Sequence, residues 1–256
     1  MKQSIGFIGG GRVTRILLQA FKNKNAHFTK IVVTDPNNQV ADNLKRDYPE
    51  IQVENSSYAA SQDIVFISLH PPVFMDTLEL IKSSINSNTI VISLAPKITI
   101  AKISSKLNQI KYIARLIPNA TSYINEGYNP VCFSIDFTGK EKQQILDLLK
   151  IMGNTFEVRE EKLESYAIMS AMLPTYFWFQ WNELVKIGQE IGLNEQECKE
   201  SINDTIIASL NLMYNSGLSA NEVMDLIPVK PIGEYESQIS GIYRTKLLGL
   251  FKKIKP

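Results

Sequence analysis

The sequence predicts an α/β fold in which a doubly wound parallel sheet is followed by an all-helical domain, and three observations carry that prediction. From Ser4 to about Ile117, short β-branched runs alternate with longer helical stretches, the signature of βαβ units in a parallel sheet. The runs are apolar throughout, as in Ile64-Val65-Phe66-Ile67 and Ile90-Val91-Ile92, which suits strands covered by helices on both faces. Beyond Glu160 the pattern becomes almost continuous helix.

Strands are expected at residues 4–8, 30–34, 63–68, 89–93 and 111–115, separated by helices at 12–23, 39–47, 73–85 and 100–107. Residues 131–135, 140–152 and 155–158 add one more strand, helix and strand. This places a sheet domain at 1–159 and a helical domain at 160–256. In the second, 163–191 is long and aromatic with Pro174 inside it, so a kink or two helices meeting there is expected. Helices follow at 196–215, at 220–226 with Ser219 as N-cap, and from about Glu234 to a solvated Lys252-Lys253-Ile254-Lys255 tail. So many apolar positions on a short helical segment call for cover from another chain, and a homodimer or higher homo-oligomer is expected.

The 256 residues carry 27 basic and 26 acidic side chains, with neither sign collected into a run. The electrostatic footprint of a nucleic-acid binder is missing. Cys132 and Cys198 stand far apart with no neighbouring His, so reduced buried thiols are expected and no metal site. The first residues are too soon broken by glycine for a signal-peptide core, and no segment approaches roughly 20 unbroken apolar residues. A cytoplasmic protein without a membrane role is the expectation.

Gly9-Gly10-Gly11-Arg12-Val13-Thr14 follows the first strand and opens the first helix, the context that gives a glycine pattern meaning. Gly9 permits the tight turn. Gly11 lets the backbone approach a pyrophosphate, and the helix N–H groups at Arg12 and Val13 meet its charge. These residues predict a Rossmann-type domain that binds NAD or NADP. Thr14 stands where the fingerprint usually has Gly or Ala, which calls for slightly wider packing. Asp35, after the second strand, can accept hydrogen bonds from an unphosphorylated ribose, whereas Arg12 can pair with a 2′-phosphate; an Asp-Pro-Asn-Asn turn is also ordinary loop chemistry. Leu69-His70-Pro71, Ala95 and Asn119 lie at ends of later strands, the edge where such sheets collect ligands. His70 can bond the cofactor or shuttle a proton, or serve only as a loop residue. Asn119 and Thr121 can orient a nicotinamide amide or substrate, or simply form the Pro-Asn turn.

Taken together the chain resembles the pyrroline-5-carboxylate reductases. The resemblance is carried by Ile5-Gly6-Phe7-Ile8-Gly9-Gly10-Gly11, by Leu69-His70-Pro71 where the family usually has Val-Lys-Pro, by Ser93-Leu94-Ala95, by Arg115-Leu116-Ile117-Pro118-Asn119 where it has Arg-x-Met-Pro-Asn, and by Glu126-Gly127. In the helical half it continues through Ser170–Tyr176 and Gly192-Leu193. It implies a Rossmann domain followed by a helical dimerisation domain, and an NAD(P)-dependent hydride transfer to the C=N, or C=O, bond of a small substrate, as in proline biosynthesis. The family's Ser-Pro-Gly-Gly-Thr-Thr substrate loop is here Lys230-Pro231-Ile232-Gly233-Glu234-Tyr235, without either threonine, and Glu234 would repel a carboxylate-bearing substrate. Candidates for the proton are Tyr176, His70 and Glu234, with Tyr176, Gln180 and Glu183 on one helix face. Two other readings stand beside this one. A β-hydroxyacid dehydrogenase-like enzyme would need a lysine in the first long helix of the second domain, and residues 166–185 have none. A dinucleotide-binding sensor or assembly protein without catalysis would explain the altered loop.

Overall fold

The computed structural model describes residues 3–256. Strands and helices alternate as β1 (Ser4–Ile8), α1 (Arg12–Asn23), β2 (Lys30–Thr34), α2 (Asn38–Asp47), β3 (Gln52–Val53), α3 (Ser56–Ala60), β4 (Ile64–Ile67), α4 (Pro71–Ile81), β5 (Ile90–Ser93), α5 (Ile100–Lys106), β6 (Ile113–Leu116), β7 (Gly127–Phe133), α6 (Gly139–Leu149) and β8 (Gly153–Glu157). They form one sheet in the order β3-β2-β1-β4-β5-β6-β7-β8. Every neighbouring pair is parallel except β6 and β7.

Period two along the strands divides the core. Ile5 and Phe7, Ile64 and Phe66, and Ile90 and Ile92 face one side, against Leu17 and Phe21 of α1, Leu44 of α2 and Leu148 of α6. Ile8, Val65, Ile67 and Val91 face the other, against Ala59 of α3, Phe74 and Leu78 of α4 and Ile103 of α5. Both faces are therefore covered, which is why alternation was invisible in the sequence of these strands.

Three details differ from expectation. The two-residue edge strand β3 and the one-turn helix α3, capped by Asn55, are too short for any periodicity to announce them. β7 begins at Gly127 rather than 131, because its first half pairs with β8 from Gly127–Gly153 to Pro130–Phe156; Ile135 lies beyond it, 93% exposed. Tertiary pairing, not local composition, sets that boundary.

The chain divides into two compact units, residues up to Met172 with Phe251–Pro256, and Leu173–Leu250. The division thus comes later than the boundary expected at Glu160. The reason is electrostatic. Arg115 on β6 is fully buried and its guanidinium pairs with Glu160 at 2.9 Å and with Glu164 of α7 (Leu163–Tyr166), tying the segment after the sheet back to the sheet. Leu163 and Ala167 pack with Ile117 and Cys132, and Ile254 joins them, so the expected solvated tail is instead partly anchored.

Cys132 sits in that cluster as the register partner of Arg115, and its thiol is pushed up to about 12 by burial, only partly opposed by the Arg115 charge. An unfolded thiol ionises near its ordinary value of about 8.5. Above that pH the unfolded chain therefore holds fewer protons than the folded one, and stability falls as pH rises, by up to ~1.4 kcal/mol per unit. The difference in unfolding free energy between the wild type and Cys132→Ala should be level below about pH 8 and decline from about pH 9 towards 12. A difference that stays level through that window contradicts the assignment.

The second unit contains α8 (Trp178–Glu190), α9 (Glu195–Asn215), α10 (Ala220–Asp225) and the first part of α11 (Glu236–Ile254). Asn194 and Ser219 each form a capping box that starts the next helix, as expected for Ser219. The long helical stretch around Pro174 is broken, as a proline demands: a π-helical turn at Ala167–Ala171, a 3-10 turn at Leu173–Tyr176, then α8. α8 and α9 meet so closely that a Cβ on Gly188 would lie 2.5 Å from the Cys198 sulfur. Elsewhere the helices leave large side chains uncovered, Phe179, Ile191, Tyr214 and Val229 each more than two-thirds exposed. No helix among the described residues is long and apolar enough to cross a membrane.

Candidate functional site

The loop from β1 to α1 is shaped by its glycines. Gly9 adopts φ +103°, and a Cβ there would stand 2.6 Å from the Ser68 carbonyl at the end of β4. Its N–H donates to Thr34 O at 2.9 Å. The hydroxyl of fully buried Thr14 donates to Gly9 O at 2.6 Å, so the side chain found in place of the small third residue locks the turn. Gly11 is the N-cap of α1 and supplies no side-chain acceptor. The first bond recorded from this helix is Arg15 N–H to Gly11 O at 3.1 Å, and the amides of Arg12, Val13 and Thr14 have no acceptor within the helix. Among the described residues, nothing beyond its immediate chain neighbours lies within 4 Å of where a Gly11 Cβ would be. Bare amides, a helix dipole and open space thus coincide, the combination that accepts an anion.

That space is a cavity of about 700 Å³, lined on one side by Gly10, Gly11, Arg12, Val13 and Arg15 and on the other by Ser68, Leu69, His70, Pro71, Leu94 and Pro96. Its size and mixed lining match small-molecule and cofactor sites. His70 is exposed and is the N-cap of α4 without a side-chain cap bond; because Pro71 and Pro72 follow, α4 brings fewer free amides than α1. Ser68 Oγ is buried with no hydrogen-bond partner among the described residues, a condition that a bound ligand, water or ion would relieve.

Gly11, Arg12, Val13, Leu69, His70 and Pro71 are therefore brought together at one cavity. Asp35 stands just behind it: its carboxylate accepts the Gly10 N–H and the Asn37 N–H, both at 2.8 Å, which holds the glycine loop against the end of β2. Ala95 is buried in the core beneath the cavity wall. Asn119 is also buried and internally engaged. Its Oδ1 accepts from the Thr121 N–H and hydroxyl, both at 2.9 Å, and its Nδ2 donates to Ser170 O at 2.7 Å; the turn-forming use of this residue is the one seen.

Tyr176 and Glu234 belong to the helical unit. Burial raises the Tyr176 phenol above its ordinary value, assisted by Tyr243, so it stays protonated at neutral pH. Glu234 is exposed in the 3-10 turn Gly233–Tyr235. Tyr176 ends a 3-10 turn two residues before α8 begins, and Gln180 lies beside it as expected: Gln180 Nε2 donates to Tyr176 O at 2.7 Å and to the Tyr243 hydroxyl at 3.4 Å, and the Tyr243 ring packs on Tyr176, whereas Glu183 pairs with Lys186. Sequence reasoning missed Arg15 and Ser68 and, in the β5–α5 segment, singled out Ala95 where its neighbours Leu94 and Pro96 line the cavity; Arg15 lies one turn beyond Arg12 on α1, and that spacing was the available signal.

Comparison with known proteins bears on the fold and on the first half of the chain in particular. Residues 4–97 match the family model described as NADP oxidoreductase coenzyme F420-dependent. A pyrroline-5-carboxylate reductase of Staphylococcus haemolyticus is 26% identical over 251 residues, 96% of this chain and 92% of that one. The chain is thus similar to the pyrroline-5-carboxylate reductases over nearly its whole length, at low identity. Two solved structures share the fold. The Plasmodium falciparum pyrroline carboxylate reductase, crystallised with NADP bound, superposes with a TM-score of 0.73 at 20% identity, over 98% of this chain and 94% of that one. The Streptococcus pyogenes enzyme reaches 0.75 at 17% identity, over 99% and 96%.

Proposed function

We propose that the chain is an NAD(P)-dependent reductase that adds hydride to the C=N or C=O bond of a small substrate. The observation that carries this reading is the uncapped N-terminus of α1 opening, across an unobstructed Gly11, onto the cavity. The amides of Arg12 and Val13 would hold the pyrophosphate, and Leu69, Pro71, Leu94 and Pro96 supply apolar surface for the rings. The dinucleotide supplies the hydride; the protein's part is binding, orientation and the proton. Both Asp35 oxygens already accept backbone N–H groups, whereas Arg12 has no ion-pair partner among the described residues and lines the cavity beside Arg15, which supports acceptance of a 2′-phosphate. His70, at the cavity, can carry a proton; Tyr176 and Glu234 are the other candidates. Tyr176→Phe, Glu234→Gln and His70→Gln in one assay decide among the three.

The test is loss of nicotinamide absorbance when the protein meets Δ1-pyrroline-5-carboxylate, with NADH and NADPH in parallel. Imine-dependent oxidation supports proline-type chemistry, and the better cofactor reports on Asp35 and Arg12. Binding of either dinucleotide without oxidation moves the search to other imines and carbonyls. It would also favour the second reading, a dinucleotide sensor, which the replacement of both loop threonines by Glu234 and Tyr235 supports.

Gly11→Ala sharpens the cofactor assignment. The new methyl meets no atom of the described residues beyond its chain neighbours, so stability should change by less than about 0.5 kcal/mol. It would occupy the approach of a phosphate to the helix amides, and dinucleotide affinity should fall by tenfold or more, about 1.4 kcal/mol. Titration of nicotinamide fluorescence measures it; unchanged affinity places the pyrophosphate elsewhere.

The uncovered side chains of the helical unit support a homodimer or higher homo-oligomer in which a second copy covers them. Sedimentation equilibrium of the purified chain should give at least twice the 28.9 kDa monomer mass, and a monomer at micromolar concentration would remove the proposal.

A further inference from the structure

The β5–α5 loop forms one wall of the cavity through Leu94 and Pro96, yet its conformation is set from outside the cavity. Lys97 adopts φ +71°, a left-handed conformation that a side-chain-bearing residue occupies only when its surroundings hold it. The Lys97 N–H donates to Glu164 Oε1 at 3.0 Å, and three residues on the Ile100 N–H donates to Glu160 Oε1 at 2.7 Å. The same two oxygens accept from the two terminal nitrogens of Arg115. Arg115 and Glu164 are almost wholly removed from water, so the guanidinium fixes each carboxylate with little screening, and each carboxylate passes that position to the loop backbone. Ser93, the last residue of β5, is the register partner of Arg115, so the clamp starts where the loop leaves the sheet.

We infer that Arg115, Glu160 and Glu164 are positioning residues for the dinucleotide: together they hold Leu94–Pro96 in the shape that completes the cavity. The inference rests on the dinucleotide reading above and adds to it the device that preorganises one wall.

Glu164→Ala removes the acceptor for the Lys97 N–H, whereas Glu164→Gln retains an acceptor oxygen. For Glu164→Ala the Kd of the better-bound nicotinamide cofactor should rise roughly tenfold, as loop ordering is transferred to the binding step. Amide hydrogen exchange of the peptide spanning 94–100 should quicken, and Glu164→Gln should recover most of the affinity. Thermal unfolding is measured alongside, because a merely structural role would lower the melting temperature and leave the Kd of the folded protein unchanged; that result overturns the inference. Should Glu164→Ala not fold, half-exposed Glu160 provides the second variant. Glu160→Ala frees the Ile100 N–H and removes one of the two carboxylates paired with Arg115, leaves the Lys97 contact in place, and should raise Kd about threefold, an unchanged Kd again overturning the inference. If the wild type binds cofactor and every variant binds it equally, positioning fails alone. If the wild type binds neither NADH nor NADPH, the dinucleotide reading fails and this inference with it.

Discussion

Gly6→Ala is expected to destabilise the protein by on the order of 3 kcal/mol. Gly6 lies in the middle of β1, between Ile5 and Phe7, and a Cβ built on it would stand 1.9 Å from the carbonyl oxygen of Ala59 and 2.9 Å from its carbon. Those are backbone atoms of α3, so relief requires moving the helix away from the sheet. The movement would open the second core face at Ala59 and Ala60, both completely buried. In a strand free of neighbours, Ala would be favoured over Gly by about 0.5–1 kcal/mol, so the measured loss understates the clash. Chemical denaturation of Gly6→Ala beside Gly11→Ala provides the comparison, since the second adds the same methyl in open space. Equal midpoints for the two variants would show that α3 yields without cost and would refute the prediction.

The second large effect is expected at Arg115. Arg115→Met removes the guanidinium and leaves Glu164, 2% exposed at its side chain, as a buried carboxylate without its cation. Breaking such a pair typically costs ~3–5 kcal/mol, whereas replacing both partners by apolar groups of similar size is often near neutral. Arg115→Met alone should therefore lower the unfolding free energy by about 3 kcal/mol or more. Arg115→Met combined with Glu164→Leu should recover much of that loss, although the double variant still lacks the acceptor for the Lys97 N–H. A double variant less stable than Arg115→Met alone would mean that the carboxylate matters to the fold through the loop backbone rather than through the ion pair.

Much of this architecture was legible before any coordinates. β1, β2 and α1 match the expected spans because an apolar run, a glycine turn and an amphipathic helix are local signals that tertiary packing did not need to override. The glycine loop was legible for the same reason. The Gly9 turn and the bare α1 amides follow from residue types at fixed spacing, and Gly10, Gly11, Arg12 and Val13 line the cavity.

What the sequence by itself determined is the set of elements with local causes: alternating strands and helices, the anion-accepting helix start, the break at Pro174 and the helix caps. Only the tertiary structure decided which side chains share a place. That Asp35 braces Gly10, that Asn119 is consumed by its own turn and Ser170, that Gly6 is small because Ala59 presses on it, and that Arg115 reaches Glu160 and Glu164 all depend on residues tens of positions apart. Periodicity reports a residue's face relative to its own element and carries no information about what the opposite element offers. The partners of a buried charge or a tight glycine therefore become visible only when the sheet is assembled.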